Sequence, residues 1–374
     1  FIYFNKKLTE YLLDNRKLCV VAVNIHQFKF INEIFGKKQG DVFLCETKQL
    51  LGACLRNEEF FCRDTADLFY LCLCESQEEV IRKRMQGIME KIAALSEKRY
   101  SHYHIRLYCG VAIADGKEKT NSDVLMTRVM FAMDTAKETI QNCIWFYDTE
   151  LHKKEIIQNY IESHMEQALR DGEFKLYLQP KINLNTGQME SAEALVRWIT
   201  KEGKMIFPDE FIPLFEKNGF CVHLDLYMAE CACCQIRKWI DHGISPVGIS
   251  VNQSKLLFYE NDYISKIKNM IERYQIPAEL ISMEILEGLA LENMQELNAR
   301  IQILQKMGIR ISMDDFGSGY SSLNTLINLE IDELKLDRTF LMKVREEKNL
   351  KSRLIMEQVV LLTKRMGIDT VVEG

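Results

Sequence analysis

Two hydrophobic rhythms divide the chain. Over the first 148 residues, strands and helices mix without a fixed order. Leu18–Asn24 (LCVVAVN) is a β-rich run, Phe28–Gly36 patterns as a helix, and Asp41–Leu55 as an amphipathic helix. Phe60–Cys74 (FFCRDTADLFYLCLC) reads as two strands about the turn Asp64-Thr65-Ala66. A helix over Ser76–Ser96, a strand over Ile105–Ala114 carrying Gly110, a helix over Asn121–Gln141 and a short strand Ile144–Tyr147 follow. Such a mixture predicts an α+β domain over residues 1–148.

From residue 173 the rhythm becomes regular. Short apolar strands recur at Phe174–Leu178, Ser191–Val196, Val247–Val251, Leu280–Ile285, Arg310–Met313, Glu333–Leu336 and Thr370–Val372. Helical stretches such as Ile264–Tyr274, Asn293–Met307 and Ser352–Met366 separate the later ones. Alternation of this kind predicts a parallel sheet, and its length a (β/α)8 barrel over 173–374. The roughly 200 residues from Glu173 onward fall short of the about 250 of a typical barrel. The expectation is a barrel truncated before its last strand, in a natural protein that continues. Between the two halves, residues 149–172 are charged and helix-prone, with no Pro or Gly before Gly172. They fit a semi-rigid helical linker or a capping helix of the second domain.

One stretch of the second half carries unusual chemistry. After Gly308, the strand Ile309–Met313 ends in two adjacent carboxylates, Asp314 and Asp315, followed by the turn Phe316-Gly317-Ser318-Gly319-Tyr320. Neighbouring acids repel, so this pair calls for a cation or a shared proton. Polar residues recur at the other strand ends: Glu193, Asn252, Glu284, Lys335 with Asp337, and Glu373. In a barrel these converge on one rim. Taken singly, Asn252, Lys335 and Asp337 read more readily as a turn residue and a solvated pair. Six successive strand ends together read as a site.

The residue types define the chemistry. Glu193, Glu284, Asp314 and the amide oxygen of Asn252 are hard ligands suited to Mg²⁺ or Mn²⁺, with no His or Cys to favour zinc. Asp315, Asp337 and Glu373 would hold a second ion or orient water, and two ions suit phosphodiester hydrolysis. Lys335 would neutralise developing charge or place the water, and Arg197 would bind phosphate through its planar fork.

Totals narrow the partners. A formal charge of −6 over 374 residues argues against a general DNA or RNA binder. No apolar run reaches the ~18 residues of a membrane span. The first residue is Phe1 rather than Met, so an upstream segment tethering the chain to the inner membrane face remains compatible. Twelve cysteines show no metal or disulfide spacing. Cys72, Cys74, Cys231, Cys233 and Cys234 read as buried thiols of a reducing, cytoplasmic compartment.

The motif Glu193-Ala194-Leu195-Val196-Arg197-Trp198 resembles the EAL signature of bacterial cyclic-di-GMP phosphodiesterases. The resemblance covers roughly residues 155–374. It extends through Gln179-Pro180, Ser250-Val251-Asn252, Met283–Glu287, Asp314–Ser322, Lys335-Leu336-Asp337-Arg338 and Glu373-Gly374. It implies hydrolysis of cyclic di-GMP to linear pGpG with two Mg²⁺ or Mn²⁺ ions. Glu193, Asn252, Glu284 and Asp314 would bind the first ion; Asp314, Asp315 and Asp337 would serve the second. Lys335 would help position the water and Glu373 complete the acidic site. Gln179 and Arg197 would contact the nucleotide, and Glu287 would hold the loop after Asp315. A homodimer through the helix after that loop is a further implication. The alternative is a receptor that binds cyclic di-GMP uncut; an unrelated Mg²⁺ barrel enzyme would share the acids but not the ordered motifs.

Residues 1–148 resemble a GGDEF diguanylate cyclase domain, with Arg63–Phe69 at the signature hairpin. Both signature glycines are missing, Leu68 replaces the catalytic Glu, and Asn24 replaces a metal-binding Asp. The resemblance therefore implies a degenerate domain without cyclase activity. Asn32 and Asp41 match the guanine-reading pair and Lys137 the phosphate-contacting Lys. These imply a GTP-binding regulator, against a packing and dimerisation module that binds nothing. Arg56-Asn57-Glu58-Glu59 stands at the family's inhibitory product site, with Glu59 in place of its Asp.

Overall fold

The computed structural model describes residues 1–65, 67–100, 105–116, 120–138, 144–291, 294–317, 323–338, 342 and 350–372. Glu373 and the loop residues Ser318–Ser322 lie outside the described residues. The chain divides into two compact units, Phe1–Ile156 and Ile157–Gly374. The helix Thr149–Arg170 is unbroken.

The first unit is built on a five-stranded sheet of β1 (Leu18–Ile25), β2 (Phe60–Arg63), β3 (Leu68–Leu73), β4 (Leu107–Ala114) and β5 (Ile144–Phe146), in the order β2-β3-β1-β4-β5. Central β1 is antiparallel to β3 and β4, and β5 joins β4 in parallel. Every residue of β1 except Asn24 is buried, which explains its continuous apolar run where a one-faced strand would alternate. Cys19, Val21, Val23 and Ile25 enter one core, while Leu18, Val20 and Ala22 enter the other. This is the α+β domain anticipated from the pattern, with one element more. The helix Ile2–Leu13 packs Phe4, Leu8 and Tyr11 into the second core. It escapes periodicity analysis because Ile2, Tyr3 and Leu13, on its other side, are apolar and exposed.

The second unit holds β6 (Phe174–Ile182), β7 (Met189–Ile199), β8 (Met205–Ile206), β9 (Gly248–Gln253), β10 (Ile281–Leu286), β11 (Arg310–Phe316), β12 (Glu333–Leu336) and β13 (Asp369–Val372). Strands follow the order β13-β12-β11-β10-β9-β7-β6, with β8 paired to β7. From β7 through β13 the main path is parallel, and the sheet curls into a partial (β/α)8 barrel. The parallel alternation expected from the pattern fails at its start, where β6 and β7 pair antiparallel. The six residues joining them are too few for a parallel crossover. They form a tight turn in which Asn183 Oδ1 accepts from the amides of Asn185 and Thr186 at 2.8 and 3.1 Å.

The cysteines only partly match the expectation of burial. Cys72 and Cys233 are buried, Cys231 and Cys234 half-buried, and Cys74 exposed. Cys74 lies just past the end of β3, where the period-2 pattern no longer decides which side is covered.

Gly110 sets the closest approach in the first unit. A Cβ there would lie 2.3 Å from the Met133 amide nitrogen and 2.5 Å from the Val129 carbonyl oxygen, both backbone atoms of the helix Ser122–Glu138. Backbone cannot step aside as a side-chain tip can. Gly110→Ala should therefore lower the unfolding free energy of this unit by about 1–3 kcal/mol, the range for overpacking. Urea denaturation checks this; a loss below experimental error would mean the helix shifts freely.

Candidate functional site

Period-2 alternation sorts the barrel strands into two faces. Ile249, Val251, Ile281, Met283, Ile285, Ile311, Met313, Leu334 and Leu336 are buried in the apolar core with the surrounding helices. Their neighbours in sequence are polar: Ser250, Asn252, Ser282, Glu284, Ser312, Asp314, Glu333 and Lys335. The side-chain contacts among Glu193, Glu284, Asp314 and Lys335, from four strands, put this second set on the concave face.

At its centre is Lys335. Its Nζ donates to Glu193 Oε2 at 3.0 Å, Glu284 Oε2 at 2.9 Å and Asp314 Oδ2 at 2.9 Å. The lysine side chain is 1% exposed and the Glu284 carboxylate 0%. Ligand oxygens of Glu193, Glu284 and Asp314 lie within 4.8 Å of one another. Burial pushes the Glu284 carboxyl upward, but Lys335 and Lys181 overcome it, and the group sits below the ordinary glutamate value. Three hard carboxylate oxygens gathered around a single ammonium, without His or Cys, fit Mg²⁺ or Mn²⁺ by donor type and by their appetite for positive charge.

The adjacent acids resolve their repulsion through backbone geometry. Register between β11 and β12 shifts between Met313 and Phe316. Asp315 sits in the left-handed region at φ 60°, which Asp tolerates better than most residues. There its amide donates to Asp314 Oδ1 at 2.8 Å. Asp314 is thus met by an ammonium and an amide, and it alone of the pair joins the carboxylate cluster. Bulges re-aim side chains in this manner beside functional sites.

The remaining candidates surround that centre. Asn252 donates to Glu193 Oε1 at 3.3 Å. Gln179, exposed on β6, is the direct cross-strand partner of Glu193. Arg197, four residues beyond Glu193 on the same face of β7, lies over the Tyr177 ring at 5.8 Å and donates to the Val196 carbonyl at 2.7 Å. Asp337 follows the end of β12, where its amide donates to the Phe316 carbonyl at 3.2 Å. No carboxylate cluster of metal-site size among the described residues includes Asp315 or Asp337. Glu287 is buried, 9% exposed, at the head of the 3-10 turn Glu287–Leu291.

Sequence reasoning missed three interior residues. Lys181 on β6 donates to Glu284 Oε1 and to Glu333 Oε1, both at 2.9 Å, and Ser312 Oγ donates to the same Glu333 oxygen at 2.9 Å. Parity was the available signal: Lys181 lies two residues from Gln179, Ser312 two from Asp314, and Glu333 two from Lys335.

In the first unit, the two substituted signature positions face each other, since Asn24 on β1 pairs directly with Leu68 on β3. Asn24 Nδ2 donates to Asp67 Oδ2 at 3.0 Å, and burial raises the Asp67 carboxyl. Asn32 Oδ1 is buried without a hydrogen-bond partner among the described residues, and a Cβ on Gly40 would lie 2.1 Å from it. Asp41 is exposed. Lys137 pairs with Asp134 at 3.0 Å. Glu59 is committed elsewhere: its oxygens take Arg84 at 2.7 and 2.5 Å and the amides of Arg56 and Cys74 at 2.7 and 3.2 Å.

The Glu59 carboxylate is 1% exposed. Desolvation opposes its ionisation, yet Arg84 and the two amides hold its carboxyl below the ordinary glutamate value. Arg84→Met would strand a buried charge and should cost about 3 kcal/mol in urea denaturation near neutral pH. A folded-state value below the unfolded one stabilises fully above pH 4.5, the ordinary value. That stabilisation disappears as pH falls through the lowered value. The gap between parent and Arg84→Met should therefore close on acidification, and a gap independent of pH would contradict the assignment.

Comparison with known proteins identifies both halves of the chain. The EAL domain family matches residues 162–374, and the family described as Diguanylate cyclase, GGDEF domain matches residues 2–143. The bifunctional diguanylate cyclase/cyclic di-GMP phosphodiesterase MucR of Pseudomonas aeruginosa is 29% identical over 365 residues, 96% of this chain and 52% of MucR. The cyclic di-GMP phosphodiesterase PdeR of Escherichia coli is 26% identical over 361 residues, 96% of this chain and 54% of PdeR. The chain thus spans about half the length of these curated relatives. The solved c-di-GMP complex of the PaMucR phosphodiesterase is 32% identical, with a TM-score of 0.54, over 57% of this chain and 86% of that one. No helix among the described residues is long and apolar enough to cross a membrane. With the EAL match covering more than half of the residues and the GGDEF match preceding it, the chain belongs to the GGDEF–EAL family.

Proposed function

We propose that the second unit hydrolyses cyclic di-GMP to linear pGpG with Mg²⁺ or Mn²⁺. The observation that carries this reading is the convergence of Glu193, Glu284 and Asp314 on the buried ammonium of Lys335. MucR and PdeR are named as cyclic di-GMP phosphodiesterases, and the PaMucR phosphodiesterase was solved with c-di-GMP bound. In this reading Glu193, Glu284, Asp314 and the Asn252 oxygen hold the first ion, and Asp315, Asp337 and Glu373 complete a second position. Bound divalent ions supply Lewis-acid charge and a nucleophilic water at neutral pH. Lys335 would position the attacking water and stabilise charge developing on the phosphate. Arg197, with its guanidinium already laid over Tyr177, offers a planar fork to a phosphate. Gln179, exposed beside Glu193, contacts the nucleotide, and Glu287 braces the loop after Gly317.

In the first unit the same reading assigns no cyclase activity. Leu68 can neither bind metal nor take a proton, and its direct partner Asn24 is a neutral ligand. MucR is named as bifunctional; the reading for this chain rests on Leu68 and Asn24 themselves. GTP binding is part of the proposal, because the buried Asn32 Oδ1, without a partner among the described residues, is an acceptor suited to a guanine N–H.

Incubating the chain with cyclic di-GMP and Mg²⁺ or Mn²⁺ should yield pGpG by chromatography, with none after chelation. Glu193→Ala and Lys335→Ala should each cut kcat at least about 100-fold, as loss of a charge-stabilising group does. Tight binding without product would favour a receptor instead. Calorimetric titration should detect GTP without conversion to cyclic di-GMP, and Asn32→Ala should weaken it. No binding at millimolar GTP would remove the regulator role, and any cyclic product would overturn the assignment of an inactive cyclase.

A further inference from the structure

Glu284 is gripped at both ends. Its Oε2 faces Lys335 within the carboxylate cluster, while its Oε1 is 2.9 Å from Lys181 Nζ. Lys181 is itself fixed by a second contact of 2.9 Å to Glu333 Oε1, and Ser312 Oγ holds that same oxygen. The Lys181 side chain is 12% exposed and that of Glu333 14%. Lys181, Glu333 and Ser312 therefore form a polar brace on the side of Glu284 away from Lys335.

We propose that Lys181 is a positioning residue of the metal site, which engages Oε1 of Glu284 and so presents Oε2, the oxygen facing Lys335, as the one for a metal ion. This rests on the metal-dependent reading above and deepens it into a statement about which ion is accepted. Mg²⁺ requires near-octahedral geometry at short distances, whereas Ca²⁺ takes six to eight oxygens and readily binds both oxygens of one carboxylate. A Glu284 restricted to one oxygen handicaps Ca²⁺. Freed from Lys181, with the neutral Ser250 hydroxyl as its remaining partner besides Lys335, it would be able to turn both oxygens to the ion and the handicap would fall.

The competing account is that Lys181 merely neutralises buried acid. The ratio of Ca²⁺ to Mg²⁺ affinity separates the two. Repulsion from an ammonium acts alike on any divalent ion and cancels in that ratio, whereas carboxylate orientation does not. Affinities can be measured on the full chain without nucleotide, by displacement of Mn²⁺ followed by electron paramagnetic resonance. Lys181→Met should raise the Ca²⁺/Mg²⁺ ratio on the order of tenfold, within the range for residues that orient metal ligands. Lys181→Arg, which keeps a donor to Oε1, should restore it toward the parent value. Lys181→Met combined with Glu333→Gln removes one charge of each sign, guards against simple misfolding, and should show the same rise. An unchanged or lowered ratio in these two methionine variants, with Mn²⁺ still bound, would overturn the positioning role and leave the metal reading standing. Failure of the parent chain to bind Mn²⁺ would overturn the metal reading itself.

Discussion

Glu193, Glu284 and Asp314 crowd their oxygens within 4.8 Å on the concave face of a curled sheet. At an effective dielectric near 20, each such pair of like charges repels by roughly 3.5 kcal/mol or more. The ammonium of Lys335, contacting all three, is what makes the arrangement compatible with a folded barrel. Each contact comes from a different strand, so the cluster depends on the order and register of β7, β10, β11 and β12. The interior charges in turn need the apolar opposite faces of those strands, packed under the helices, to hold the backbone in place.

Opposite charges continue along the same interior. Lys181 joins Glu284 to Glu333, and Ser312 adds a hydroxyl. Buried charge is tolerated where every carboxylate finds a cation or donor. A barrel lined in this way sacrifices apolar burial on its inner face for a set of oriented oxygens, which is the property hydrolysis of a phosphodiester would use.

The first unit shows the opposite trend. Its sheet retains the strand order and two apolar cores, but the chemistry at the strand end is diluted: Leu68 faces Asn24, and Asp67 is occupied by the Asn24 amide. Glu59, at the place of a product-site acid, is saturated by Arg84 and two backbone amides. Groups already satisfied internally have little left for a ligand. Asn32, whose buried oxygen has no partner among the described residues, is one exception.

Local pattern alone was enough to locate nearly every strand, because apolar runs bounded by turn residues have few other uses. The polar positions from Glu193 to Lys335 were legible as the residues that alternate with apolar ones, although Glu193 lies in the middle of β7 and not at its end as expected. The helix Ile2–Leu13 was not legible, because exposed apolar residues blur its period. Nor was the antiparallel start of the sheet, although the short Asn183–Gln188 turn already contained it. Only the tertiary structure decided which acids share a cation. Lys181 and Glu284 are 103 residues apart, and their meeting depends on sheet order, a non-local quantity that no spacing encodes. It also separated Asp314 from Asp315, because the left-handed turn at Asp315 coincides with a register shift between two strands, which the sequence of one strand does not reveal.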